Sequence, residues 1–130
     1  MTSLLFRLLG FNRRTAERYH VQDLELILMG KNSRENLLVD DLSVEGISFT
    51  YWDTGEPLDN VVDLDLRAGA DFRLGLVKVK KVADVLIADN MTDMTRIRRF
   101  SGRFINISVP QLSNLRIFLK KHGLAGSVGG

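Results

Sequence analysis

Two short groups of residues near the start of the chain have the types and spacing to hold an anion. Arg14-Thr15-Ala16-Glu17-Arg18 is an RxxxR element, and Asp41-Leu42-Ser43-Val44-Glu45-Gly46 is a DxSxxG element. An arginine presents a planar fork of donors that grips a phosphate, or the O6 and N7 edge of guanine, with two hydrogen bonds at once. Placed four positions apart, Arg14 and Arg18 can face one dianion from a turn or helical start. The Asp41 carboxylate is an acceptor that matches the N1–H and N2 amine of guanine. Ser43 is small enough for its backbone to approach a ligand closely, and Gly46 is expected to take a positive φ where the chain turns. These residues suit a small anionic ligand that carries guanine.

Either group alone is weak, because motif matches arise by chance. With 12 arginines in the chain a stray RxxxR is expected, and Arg99-Phe100-Ser101-Gly102-Arg103 is a second one. Order and setting raise the signal. The first RxxxR precedes the first expected strand, and DxSxxG ends the second.

The elements that must position these groups follow from periodicity. Thr2–Leu9 could make two helical turns that end at Gly10, too short to stand alone in water. Leu24, Leu26 and Leu28 mark a first strand, and Gly30–Ser33 a turn. Asn36–Val39 is a second strand and Ile47–Trp52 a third, followed by a loop at Asp53–Pro57. Val62, Leu64 and Leu66 alternate with Asp63, Asp65 and Arg67, the pattern of a half-buried strand. Phe72–Val82 and Val85–Ala88 read as further strands, Asp89–Thr95 as a polar loop and Ile97–Ile107 as the closing strand. Ser108-Val109-Pro110-Gln111 is a capping box ahead of an apolar stripe at Leu112, Leu115, Phe118 and Leu119. Lys120, Lys121 and His122 fill the last turn of that helix before Gly123, as the helix dipole favours.

Composition narrows the function. At 130 residues the chain fits one domain with its own core, and 45 % hydrophobic residues argue against disorder. It has no cysteine, which excludes disulfides and Cys-based zinc sites. His20 and His122 lack metal-ligand spacing, and no Ser/His/Asp grouping forms a catalytic arrangement. The formal charge of +2 is too small for a nucleic-acid footprint. It is split into basic groups, Arg7–Arg18 and Arg96–Arg103, around an acidic stretch from Asp53 to Asp65. The latter two groups read as solvated strand faces, from which Arg98 or Arg99 could add phosphate contacts. Trp52 reads as core or barrel rim, with guanine stacking as the alternative. No apolar run is long enough to cross a bilayer, and the start lacks the marks of a secretory signal, so a cytoplasmic protein is expected.

The order of the motifs, their separation, Gly102–Ser108 as a final strand and Leu112–His122 as a closing helix together resemble the PilZ domain family, receptors for the bacterial messenger cyclic di-GMP. The resemblance covers about residues 12–122. It implies a mainly β fold, a six-stranded antiparallel β-barrel with a C-terminal α-helix; outside it, the residues themselves give a short N-terminal helix in residues 1–11 and a flexible Gly-rich tail at 123–130. It also implies a non-enzymatic sensor or adaptor with no cofactor, working as monomer or homodimer and passing its signal to a protein partner. By position, Arg14 and Arg18 would grip phosphates and guanine edges, while Asp41, Ser43 and Gly46 would hold the second face. Arg13 resembles the residue of members that take an intercalated ligand dimer, which implies two ligands per site.

Two other readings compete. An oligonucleotide-binding barrel would use Phe100 and Phe104 as stacking platforms beside Arg98, Arg99 and Arg103. A PilZ-like interaction module would bind protein and no nucleotide, against which the intact motif residues argue.

Overall fold

The computed structural model describes residues 17–21, 23–30, 37–53, 55, 57–90, 95–122 and 124–125. The expected N-terminal helix, Arg13, Arg14, residues 31–36 around the first turn, residues 91–94 of the expected polar loop and the tail beyond 125 lie outside them.

The described residues form β1 (Tyr19–His20), β2 (Glu25–Leu28), β3 (Leu38–Leu42), β4 (Gly46–Trp52), β5 (Val61–Ala68), β6 (Phe72–Arg73), β7 (Val77–Asn90), β8 (Thr95–Ile105), the helix α1 (Val109–His122) and β9 (Leu124–Ala125). All described strand pairs are antiparallel. The sheet runs β2-β5-β7-β8-β4-β3-β1-β9, with β6 paired to β5 beside that path.

This corrects the expectation of a closed six-stranded barrel. Eight strands lie on the hydrogen-bonded path, with β6 as a ninth, and among the described residues no ladder closes the path. β2 approaches β3 without pairing to it. The added strands β1, β6 and β9 are two residues long, too short to carry the alternation by which strands are recognised in sequence. The two expected strands at 72–82 and 85–88 are instead β6 and a continuous 14-residue β7, separated by a turn at Gly75 with φ 86°.

Alternation determines what is buried. The inward residues of β4, Ile47, Phe49 and Tyr51, meet Val62, Leu64 and Leu66 of β5, Val79 of β7 and Phe100 of β8. Phe49 and Phe100 stand opposite each other across the β4–β8 ladder and stack with centroids 4.9 Å apart.

The helix covers one end of this core with Leu115, Phe118 and Leu119, three of the four residues of the expected stripe, while Leu112 is half-buried, and Phe118 stacks on Phe72 at 4.1 Å. Its capping box forms as expected. The Ser108 amide donates to Gln111 Oε1 at 3.0 Å, and the Gln111 amide donates to Ser108 Oγ at 3.2 Å. Gln111 Nε2 also donates to the carbonyls of Leu74 and Leu76, at 3.1 and 3.0 Å, which ties the helix start to the β6–β7 turn.

Candidate functional site

The DxSxxG element splits into two jobs. Ser43 and Gly46 build the β3–β4 hairpin. The Ser43 hydroxyl, buried, accepts from the amides of Glu45 at 3.0 Å and Gly46 at 3.2 Å, and the Ser43 amide donates to the Gly46 carbonyl at 2.9 Å. The turn is tied to β8 by the Phe104 amide, which donates to the Glu45 carbonyl at 2.9 Å.

Gly46 does not take the positive φ expected of it; among the described residues the positive-φ glycines are Gly30, Gly55, Gly69 and Gly75. Its requirement is space. Gly46 pairs with Arg103, and a Cβ there would strike the carbonyl oxygen of Gly102 on β8. A glycine is needed here for a physical reason other than the one expected.

Asp41 does the other job. The β3–β4 register shifts between Val39 and Asp41, so Asp40 is an extra residue in the strand. Strict alternation would send Asp40 and Asp41 to opposite faces; the bulge lets both line one pocket. That pocket, about 530 Å³, is lined by Arg18, His20, Leu38, Val39, Asp40, Asp41, Ser48, Arg99 and Ser101. Arg18 of the RxxxR element reaches across it, its Nη1 3.8 Å from Asp41 Oδ2. The ion pair is half exposed and adds little stability, but it brings the end of one motif to the start of the other.

Cross-strand rows supply the floor. Ser48 of β4 is paired with Ser101 of β8, their hydroxyls 3.2 Å apart, and Thr50 is paired with Arg99. Asp40 Oδ2 accepts from Thr50 Oγ1 at 2.7 Å and from Arg99 Nε at 3.2 Å. His20 places its Nδ1 2.7 Å from the Asp40 carbonyl oxygen. Two arginines and an imidazole thus stand against two carboxylates, and the guanidiniums retain donors beyond those their carboxylates occupy. Such a surface can take a phosphate on the arginines and the donor edge of a base on Asp41.

Of the expected site residues, Arg18 and Asp41 come together in this pocket. Ser43 and Gly46 lie outside its lining, behind it in the hairpin. Arg13 and Arg14 are beyond the described residues. Sequence reasoning missed His20, Asp40, Ser48 and Ser101. For Ser48 and Ser101 the signal is the polar residue at every second position of β4 and β8, which becomes a site only once the register is known; His20 on β1 and Asp40 in the β3 bulge carry no such signal.

Several readings of single residues change. Arg98 faces inward, where its Nε donates to Asp84 Oδ1 at 2.9 Å beside the Tyr51 hydroxyl, which donates to Asp84 Oδ2 at 2.6 Å. Burial, reinforced by the Asp84 hydrogen bond, raises the Tyr51 hydroxyl far above its ordinary value, and the hydrogen bond that Arg98 donates to Asp84 raises the Arg98 guanidinium. Arg99 therefore is the arginine of that pair that reaches the pocket. Asp65, expected on an exposed face, is buried and accepts from Arg73 Nε at 2.8 Å and the Gly75 amide at 2.9 Å. Trp52 is exposed at the end of β4. Phe100 is fully buried, which removes a stacking platform from the oligonucleotide reading.

A larger cleft of about 640 Å³ lies between α1 and the β5–β6 turn, lined by Phe72, Phe118, Lys121 and His122 among others. Apart from His20, which borders both cavities, it shares no residue with the motif pocket. Among the described residues no cluster of His, Cys, Asp or Glu could hold a metal ion, and no helix is long and apolar enough to cross a membrane.

No protein-family model matches the chain, and no curated protein matches it in sequence. Among solved structures the chain is similar to the PilZ domain with c-di-GMP of YcgR from Escherichia coli, at 18 % identity and a TM-score of 0.60, over 85 % of this chain and 91 % of that one. The antiparallel sheet with its single C-terminal helix therefore has a PilZ-like fold.

Proposed function

We propose that this chain is a receptor for cyclic di-GMP, which it binds in the pocket between Arg18 and Asp41. The observation that carries the reading is the meeting of the two motifs: Arg18 and Asp41 have 22 residues between them in sequence yet form an ion pair at the rim of one polar pocket. The PilZ-like fold supports it, since the similar E. coli domain is described with that ligand. In this reading Arg14 and Arg18 grip phosphates and guanine edges, Asp41 accepts from the guanine N1–H and N2 amine, and Arg99 adds a donor from β8. Ser43 and Gly46 act by holding the hairpin that aims Asp41. Arg13 recruits a second, intercalated ligand molecule.

The protein works in the cytoplasm as a non-catalytic sensor or adaptor. Ligand orders the arginine-bearing segment against the β3–β4 hairpin, and residues 1–11 change position to expose or cover a surface for a protein partner. The change can be no larger than the ligand's differential affinity for the two states allows.

Thermal unfolding tests binding. A ligand present at a hundred times its dissociation constant stabilises the folded state by about 2.7 kcal/mol. Cyclic di-GMP is expected to raise the melting temperature of the parent chain and to leave that of an Asp41→Ala variant unmoved. Equal shifts in both would remove Asp41 from the site. The switch has its own test: a chain lacking residues 1–11 is expected to bind as before but to lose any ligand-dependent change in solution scattering. A full-length chain whose scattering does not respond to saturating ligand would refute the switch.

A further inference from the structure

The cleft between α1 and the β5–β6 turn, about 640 Å³, shares only His20 with the motif pocket. Its size is that of ligand-binding clefts, about 300–1,000 Å³. Phe72 and Phe118, stacked at 4.1 Å, give it an apolar floor, and Ile117 stands at its side, 62 % exposed.

Two acids that line this cleft have no partner. Asp71 lies in the β5–β6 turn. Asp23 stands two residues before Glu25, which pairs with Arg67 near the end of β5, so both acids lie on the sheet side. Among the described residues neither makes an ion pair or a side-chain hydrogen bond, whereas Arg73, also in the lining, is committed to Asp65. Lys121 stands on the opposite wall, on α1.

The chain carries a segment of matching chemistry. Leu4, Leu5, Leu8 and Leu9 recur at the spacing of one helix face, and Arg7 is the one charged residue within 1–11. A two-turn helix gains too little from its own hydrogen bonds to persist in water, and an amphipathic helix buries such a face in a groove. Arg7, three residues after Leu4, borders that face, where its long stem can carry the charge to a rim.

Reach selects the same segment. The described chain starts at Glu17, and His20 already lines the cleft. Residues 10–16 connect Leu9 to Glu17, and fully extended they span about 25 Å. The chain after β9 also sets out beside the cleft, since His122 lines it, but residues 126–130 offer Val128 as their one apolar side chain.

We infer that this cleft is the docking site of residues 4–9, seated as a helix with its leucines on Phe72, Phe118 and Ile117 and with Arg7 beside Asp23 and Asp71. Arg13 and Arg14 lie in the connection between this segment and Arg18, so an anion that draws them to the motif pocket competes with docking. The cleft is then the surface that the switch uncovers, and in that respect alone the inference rests on the receptor reading.

Docking is tested on the full chain without nucleotide, so its failure is separate from a failure of that reading. The chain has no cysteine, which makes paired cysteines a clean probe. A disulfide needs Cα atoms within about 7 Å. Leu8→Cys/Ile117→Cys is expected to close a disulfide within one chain about tenfold faster than Leu8→Cys/Val85→Cys, because docking raises the concentration of one thiol at the other. Val85, on β7, lies outside the cleft lining. Adding Asp23→Asn/Asp71→Asn to the first pair should slow closure several-fold. Hydrogen exchange gives a readout without cysteines: Leu5→Asp/Leu8→Asp should speed exchange of the α1 amides. Equal closure rates for the two pairs, or α1 exchange indifferent to the two aspartates, would overturn the inference. A disulfide that joins two chains instead of closing one would give the cleft to a second copy and overturn it equally.

Discussion

At the scale of single residues, Gly46 and Tyr51 show how the site depends on atoms that never face it. Gly46 lets β4 and β8 approach so closely that a methyl group would meet the Gly102 carbonyl. Gly46→Ala is expected to cost about 1–3 kcal/mol through overpacking, read as a lower urea midpoint with an unchanged slope. It should also weaken ligand binding by shifting the hairpin that carries Asp41. Tyr51, buried and donating to Asp84, keeps its proton in the folded state well above its ordinary pKa near 10. A raised folded pKa means that the stabilisation is complete below the unfolded value and is lost as pH rises past it, when the unfolded tyrosine ionises and the folded one does not. The parent chain should therefore lose stability above about pH 10, by up to about 1.4 kcal/mol per pH unit from this group. Tyr51→Phe should flatten that alkaline limb, as denaturation at graded pH would show; an unchanged limb would assign the loss to other groups.

At the scale of elements, the helix and the bulge differ in how plainly the sequence announces them. The capping box at Ser108–Gln111 and the stripe at Leu112, Leu115, Phe118 and Leu119 are local patterns; the box forms as read, and three of the four stripe residues are buried with Leu112 half-buried. Gln111 also reaches Leu74 and Leu76, which no local pattern reveals. Gln111→Ala thus removes half of the cap and both ties to the β6–β7 turn. It should cost about 1–2 kcal/mol, more than Ser108→Ala at about 1 kcal/mol, in chemical denaturation. The Asp40 bulge is the opposite case. Nothing in Leu38–Leu42 marks an extra residue, because a bulge is a property of two paired strands and the register comes from β4. Yet that bulge sets Asp40 and Asp41 on one pocket. The same limit hid His20, Ser48 and Ser101, which have neighbours in space and not in sequence.

At the scale of the whole molecule, regular alternation in β4 and β5 and the closing helix made the β-rich class with one C-terminal helix legible. Closure was not. Strands of two residues carry no period, and whether a path of ladders returns on itself depends on pairings far apart in the chain. Of the candidate pocket, two lining residues, Arg18 and Asp41, were legible, because each belongs to a spaced motif that residue types and spacing single out. The division of the acidic motif into one pocket residue and two hairpin-building residues appears only in three dimensions. Calorimetric titration with cyclic di-GMP, of the full chain beside an Arg14→Ala/Arg18→Ala double variant, tests the central claim most directly. The account predicts saturable heat for the parent chain, with two ligand molecules per chain if Arg13 recruits the second, and none for the double variant. Absence of heat from the parent chain, or equal affinity in the variant, would contradict it.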